Sequence, residues 1–205
     1  MLSSATGKVD LVGFSFGARV AASIAAHCPD LVRRVVLTGV PADRGPLGRT
    51  ILKAWLATLG AGNLEAFVWQ SIVDGHSESF LCQHESRLEG WVASAMRQNR
   101  CDAIHALVQN THFDDPAHPQ HTTSLVRKAR ENGVEGLLIG ASLDRLAPAE
   151  EVQRLAEVAR WPCEIIDGAG HSVPIEKPQH WRGVVGPFLD FGIGPHVTNA
   201  DVSTV

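Results

Sequence analysis

Short apolar runs alternate with longer stretches of helical spacing along most of this chain. Val9-Asp10-Leu11-Val12-Gly13 is rich in β-branched and aliphatic residues and closes on glycine, which predicts a short buried strand. From Phe16 to Cys28 small and aliphatic positions recur (Ala18, Ala21, Ala22, Ala25), predicting a helix packed closely on a sheet and stopped by Pro29. Arg34-Val35-Val36-Leu37-Thr38 predicts a second strand, followed by a loop punctuated with proline and glycine from Gly39 to Gly48. A third strand is expected over Val134–Gly140 and a fourth over Cys163–Asp167. One helix, Pro148–Ala159, lies between those two, and another, Gln179–Phe191, follows the last. Strands alternating with helices predict an α/β fold on a parallel sheet with right-handed crossovers.

The middle of the chain differs. Between Leu47 and Gln109 only helical spacing recurs, with Trp55, Phe67, Trp69, Phe80, Trp91 and Met96 among its apolar positions. This predicts a helical lid inserted between the second and third strands. Its aromatic residues either fill the lid's own core or line an apolar pocket above Ser15. The polar stretch Thr111–Thr122 predicts a surface loop, and the aperiodic tail after Gly192 a mobile end. The expected division is therefore 1–46 for the first part of the α/β core, 47–121 for the lid and its connecting loop, 122–192 for the second part of the core and 193–205 for the tail.

Composition narrows the function. A chain of 205 residues makes one domain with a sizeable core. With 44% hydrophobic residues and 20% charged, it is ordinary for a globular protein. A net charge of −4 offers no attraction to nucleic acid or to an anionic membrane. No apolar run reaches the length of a membrane span. Cys28, Cys82, Cys101 and Cys163 are far apart and unpaired in spacing, so free thiols in a reducing compartment, cytoplasmic or mitochondrial, are expected.

Three segments carry chemistry. Gly13-Phe14-Ser15-Phe16-Gly17 puts a serine where the first strand turns into the first helix. Such a turn strains the backbone, and Gly13 and Gly17 are read as allowing the close approach it demands. It lifts the hydroxyl clear and places the Phe16 N–H at a helix N-terminus, where it meets a developing oxyanion. Asp144, in Gly140-Ala141-Ser142-Leu143-Asp144-Arg145-Leu146-Ala147-Pro148, follows the third strand, at the rim where sites in open α/β sheets form. His171, in Gly168-Ala169-Gly170-His171-Ser172-Val173-Pro174, follows the fourth. An imidazole titrates near neutrality and suits a base that takes the Ser15 proton, with Asp144 holding its other nitrogen. Taken singly, each has a plainer reading, a loop serine, a capping carboxylate or a surface histidine; the order of all three makes the case.

On these segments, with Leu31-Val32-Arg33-Arg34-Val35-Val36-Leu37 as the strand after the nucleophile helix, the chain resembles the α/β-hydrolase superfamily over most of residues 8 to 192. The resemblance implies a serine esterase or thioesterase with Ser15 as nucleophile, His171 as base and Asp144 as orienting acid. Phe16 becomes an oxyanion donor and Phe14 a binding residue. Serine at the turn argues against the dehalogenases and epoxide hydrolases, which use aspartate there. No metal or organic cofactor is implied.

Members of that superfamily carry four strands before the nucleophile turn, and the loop after the third supplies a second oxyanion donor. Here Met1 to Asp10 lead directly into the turn's strand. A partial α/β-hydrolase fold of about four parallel strands is thus expected. The strand at 9–13 would show an apolar edge that invites a protein partner or a second chain. Two functions follow: a hydrolase of an ester or thioester with an apolar portion, or a truncated, catalytically weak hydrolase-fold subunit acting as a scaffold.

Minor candidates complete the picture. His112, Asp114, Asp115, His118 and His121 form a polar cluster that suits either a divalent metal or, more plainly, a solvated surface. Ser203-Thr204-Val205 is similar to a C-terminal ligand for a PDZ-type groove. Gly168-Ala169-Gly170 lacks the spacing of a phosphate cradle.

Overall fold

A computed structural model describes residues 7–110, 117–192 and 194. In chain order the elements are β1 (Val9–Phe14), α1 (Phe16–His27), β2 (Val32–Thr38), α2 (Gly45–Gly60), α3 (Leu64–Gly75), α4 (Glu78–Gln98), α5 (Cys101–Gln109), α6 (Thr122–Glu131), β3 (Glu135–Ala141), α7 (Ala149–Ala159), β4 (Cys163–Ile166), α8 (Val173–Glu176) and α9 (Pro178–Phe191). The four strands form one parallel sheet in the order β1-β2-β3-β4, with Gly13 beside Leu37, Leu37 beside Leu138 and Ile139 beside Glu164. The fold is the α/β architecture that the alternation predicts.

The strand period of two divides the core. Val35, Leu37 and Leu138 face one side, where the alanines of α1, Leu125 and Val126 of α6 and Leu155 of α7 cover them. Val36, Leu137 and Ile139 face the other, against Val185 and Phe188 of α9. β2 and β3 are therefore apolar on both faces, as parallel strands covered on both sides must be. β1 is less buried than its own run predicts, in keeping with the apolar edge expected at 9–13. It is the edge of the sheet among the described residues, with Val9 and Val12 exposed at 54% and 47%.

Helices α2 to α5 form the insertion between β2 and the rest of the sheet, starting at Gly45 inside the segment expected to be loop. Its own core includes Leu52, Leu59, Val68, Ile72 and Val92, with Trp69, Trp91 and Met96 packed around them. Local signals set its helix ends: the Asn63 side chain accepts the Ala66 N–H at 3.0 Å and the Ser77 hydroxyl the Phe80 N–H at 3.3 Å.

α6 is a helix that the sequence reading missed. Its apolar residues Leu125, Val126 and Ala129 are few, and the polar stretch before it masks its start, which the His121 ring caps by accepting the Thr123 N–H. The candidate metal residues His112, Asp114 and Asp115, and the tail residues Ser203, Thr204 and Val205, lie outside the described residues. His118 and His121 use a ring nitrogen each on a nearby backbone N–H. Among the described residues no group of three or more potential ligands is placed to hold a metal, and no helix is long and apolar enough to cross a membrane.

Candidate active site

Ser15 stands between β1 and α1 with φ 52° and ψ −117°, a conformation that costs a non-glycine residue about 1–3 kcal/mol. The turn is held from both sides. The Ser15 N–H donates to the Thr38 carbonyl at 2.8 Å, and the Ser15 carbonyl accepts the Ala18 N–H at 3.0 Å. The two glycines of the motif are not equivalent. A Cβ at Gly13 would lie 2.5 Å from Ala18 Cα and 2.5 Å from the Gly17 carbonyl oxygen, so β1 and α1 meet there backbone to backbone. At Gly17 a Cβ meets nothing within 4 Å, which corrects the expectation that both glycines serve close approach. Gly13→Ala is expected to lower stability by about 3 kcal/mol or more, because rigid backbone must move. Gly17→Ala, at an open position in a helix, should raise it by up to about 1 kcal/mol. Urea denaturation of the pair reads both.

Asp144 sits in the turn after β3 with its side chain fully buried. One carboxylate oxygen, Oδ1, accepts the N–H groups of Leu146 and Ala147, each at 2.8 Å. The other, Oδ2, lies 2.8 Å from His171 Nδ1. A carboxylate only accepts, so the imidazole proton belongs on Nδ1, and Nε2 faces the Ser15 hydroxyl as acceptor at 2.8 Å. The relay Ser15–His171–Asp144 is continuous. It can move a proton from the hydroxyl to Nε2 while the carboxylate steadies the imidazolium that forms.

Other residues lock the imidazole, and apart from Phe14 the sequence does not single them out. Gly39 follows β2 at φ 66°, where a Cβ would come 3.1 Å from His171 Cε1 and 3.4 Å from the Phe14 ring. The Phe14 ring itself lies against the imidazole, with centroids 5.1 Å apart. Glu176, five residues past His171, accepts the Gly170 N–H at 3.1 Å and both the N–H and hydroxyl of Ser77 at the α3–α4 turn. On the far side of His171 the Ser172 N–H donates to the Gly75 carbonyl at 2.9 Å. The histidine loop and the helical insertion are thus bolted together on both flanks of His171. Glu176→Gln places an amide N–H against Ser77 donors and should cost about 2 kcal/mol, measured by urea denaturation.

A cavity of about 200 Å³ opens over Ser15 and His171, lined by Phe14, Phe16, Leu52, Trp55 and Leu146. A second cavity, of about 510 Å³, lies inside the insertion between Phe67, Ile72 and Trp91, and Ser71 borders both. The aromatic residues therefore divide between the two expected roles. Trp55 lines the pocket at Ser15, whereas Trp69 and Met96 pack within the insertion. Phe80 stacks between His76 and His84, beside Trp91, rather than facing Ser15.

Of the residues singled out in the sequence, Ser15, Asp144, His171, Phe14 and Phe16 converge on this one site. Comparison with known proteins agrees with the α/β fold. The chain is 30% identical over 192 residues to a candidate 2-succinyl-6-hydroxy-2,4-cyclohexadiene-1-carboxylate synthase of Bacillus subtilis (strain 168), covering 89% of this chain and 66% of that protein. It is 25% identical over 186 residues to pyrrolizixenacetamide deacetylase of Xenorhabdus hominickii, covering 88% and 65%. It thus spans about two thirds of the length of these curated relatives. A thermophilic esterase from Thermogutta terrifontis shares the fold with a TM-score of 0.70 at 20% identity, over 90% of this chain and 65% of that one. The sequence pattern of the alpha/beta hydrolase family matches residues 2–182, and the chain belongs to that family.

Proposed function

We propose that this protein hydrolyses an ester or thioester with an apolar portion, using Ser15, His171 and Asp144 as a catalytic triad. The observation that carries the reading is the unbroken relay, with 2.8 Å from Ser15 Oγ to His171 Nε2 and 2.8 Å from Nδ1 to Asp144. Ser15 Oγ attacks the carbonyl carbon as its proton passes to Nε2. The oxyanion so formed accepts the Phe16 N–H, which opens α1 and has no carbonyl of a preceding turn to satisfy it. Collapse breaks the bond to the alcohol or thiol, which leaves with the proton from Nε2. Water then gives its proton to Nε2 and adds to the acyl carbon. The second collapse returns the proton to Ser15 Oγ and releases the acid. The apolar walls at Leu52, Trp55 and Leu146 support an apolar substrate portion next to the reacting carbonyl.

The test is labelling with a fluorophosphonate probe followed by peptide mass spectrometry. Tryptic cleavage after Lys8 and Arg19 yields Val9–Arg19, in which Ser15 is the sole serine. An adduct on that peptide supports the reading; an adduct confined to other peptides overturns it. The exposed apolar edge of β1 supports a second reading, a hydrolase-fold subunit whose site is completed by a partner chain. In that case the adduct forms only when the partner is added.

A further inference from the structure

The cavity over Ser15 and His171 has one arginine in its wall, Arg44, in the loop between β2 and α2. Phe14, Phe16, Leu52, Trp55 and Leu146 make its apolar walls, and Ser71 and Ser172 border it too. Arg44 donates one hydrogen bond, from Nη1 to the Leu146 carbonyl at 3.3 Å, and forms no ion pair among the described residues. Three carboxylates of this region are paired with other arginines. Asp43 holds Arg49 at 2.8 Å, Glu151 holds Arg154 at 2.7 Å and Asp74 meets Arg145 at 3.4 Å, while Asp144 accepts from the His171 ring, and Glu78 and Glu150 line with Arg44 an adjoining cavity of about 930 Å³. Burial first, and the nearby Arg19 charge second, push the Arg44 guanidinium down to about 10, against the opposing pull of Asp144. It is still a cation at neutral pH.

A partly buried cation without a direct ion pair is unfavourable, and an apolar residue of similar size in its place is commonly as stable or more so. Its position beside a nucleophile supplies the reason for such a group. We propose that Arg44 is the subsite for a carboxylate of the substrate, so that the preferred ester or thioester carries a carboxylate a few bonds from its scissile carbonyl. This rests on the hydrolase reading above and deepens it. The planar guanidinium pairs with a carboxylate through two parallel hydrogen bonds. One guanidinium matches a single planar carboxylate group rather than a tetrahedral phosphate, which calls for more donors. The cavity, about 200 Å³ against roughly 300–1,000 Å³ for drug-sized sites, keeps the anion close to the reacting atoms.

The experiment is titration calorimetry of the full Ser15→Ala chain with glutarate, dimethyl glutarate and inorganic phosphate, repeated with Arg44→Met and Arg44→Lys added. Glutarate is expected to bind about tenfold or more tightly than its dimethyl ester, to weaken by about the same factor in Arg44→Met, and to recover in part in Arg44→Lys. Equal binding of glutarate and its dimethyl ester overturns the proposal, as does tighter binding of phosphate. So does a loss in Arg44→Met that is the same for all three ligands. Arg44→Met should melt no lower than its parent; if it fails to fold, the glutarate and dimethyl glutarate comparison in the parent and in Arg44→Lys decides. Ethanol release from ethyl hydrogen glutarate against ethyl methyl glutarate gives the kinetic counterpart, with the acid preferred about tenfold or more in kcat/KM. The two readings fail separately. Glutarate selectivity without a fluorophosphonate adduct keeps the subsite and removes the hydrolase, whereas an adduct without selectivity does the reverse.

Discussion

Ser15→Ala is expected to abolish fluorophosphonate labelling and to lower ester turnover by roughly 10⁶-fold, the scale on which serine triads lose kcat when the nucleophile is removed. The substitution deletes the one atom that lies 2.8 Å from His171 Nε2, while Asp144 still holds the ring. Turnover of p-nitrophenyl esters of graded chain length, wild type against variant, measures the effect, and equal rates would remove Ser15 from the mechanism. A companion variant separates chemistry from folding. Ser15 occupies φ 52°, ψ −117°, which glycine adopts without a Cβ clash. Ser15→Gly should therefore be as inactive as Ser15→Ala yet more stable than wild type, by about 1 kcal/mol after the entropy of the added glycine is subtracted. A Ser15→Gly protein that unfolds more readily than wild type would show that the turn stores no strain.

Asp144→Asn should lower kcat about 10⁴-fold while leaving the fold intact. The reason is local. Oδ1 accepts two backbone N–H groups, from Leu146 and Ala147, so the asparagine oxygen must stay there and its NH₂ must turn to His171. An NH₂ donates, and His171 Nδ1 then accepts, which moves the imidazole proton to Nε2. Nε2 now presents a proton to the Ser15 hydroxyl and has no lone pair with which to take one. Asp144→Ala differs in kind. It leaves two buried N–H groups without an acceptor and should lose stability as well as rate, by about 2 kcal/mol or more. Parallel kinetics and urea denaturation separate the two variants. A fully active Asp144→Asn would mean that another group orients the imidazole.

Much of this site is visible in the sequence because each of its three central residues lies in the connection that follows a strand. A run such as Val9–Gly13 or Glu135–Gly140 announces its own strand, and in a parallel sheet the C-terminal ends of all strands share one rim. Ser15, Asp144 and His171 were therefore brought together by topology alone, before any contact was known. The strained serine was legible for a similar reason, since a strand that becomes a helix within one residue leaves that residue little choice of backbone angles. The run Val9–Gly13 taken alone predicts a buried strand, whereas the exposure of Val9 and Val12 fits the apolar edge expected at 9–13, because the composition of a run reports what it prefers and not what lies beside it. α6 escaped notice because its three buried residues are too few to show a period against the polar stretch before it.

What the sequence determined by itself is local: the strand and helix alternation, the strained turn at Ser15, and the order of Ser15, Asp144 and His171 along the chain. The tertiary structure decided everything that depends on residues far apart in the chain. It placed Gly39 under the imidazole, tied the histidine loop to the helical insertion through Glu176 and Ser77, and set Trp55 rather than Phe80 beside the nucleophile. It also left Arg44 in the wall of the cavity with one hydrogen bond, to the Leu146 carbonyl, and no ion pair among the described residues. Such facts are differences between competing long-range contacts. No periodicity or motif reports them, because whether a charge is neutralised depends on which partners the folded chain brings within reach.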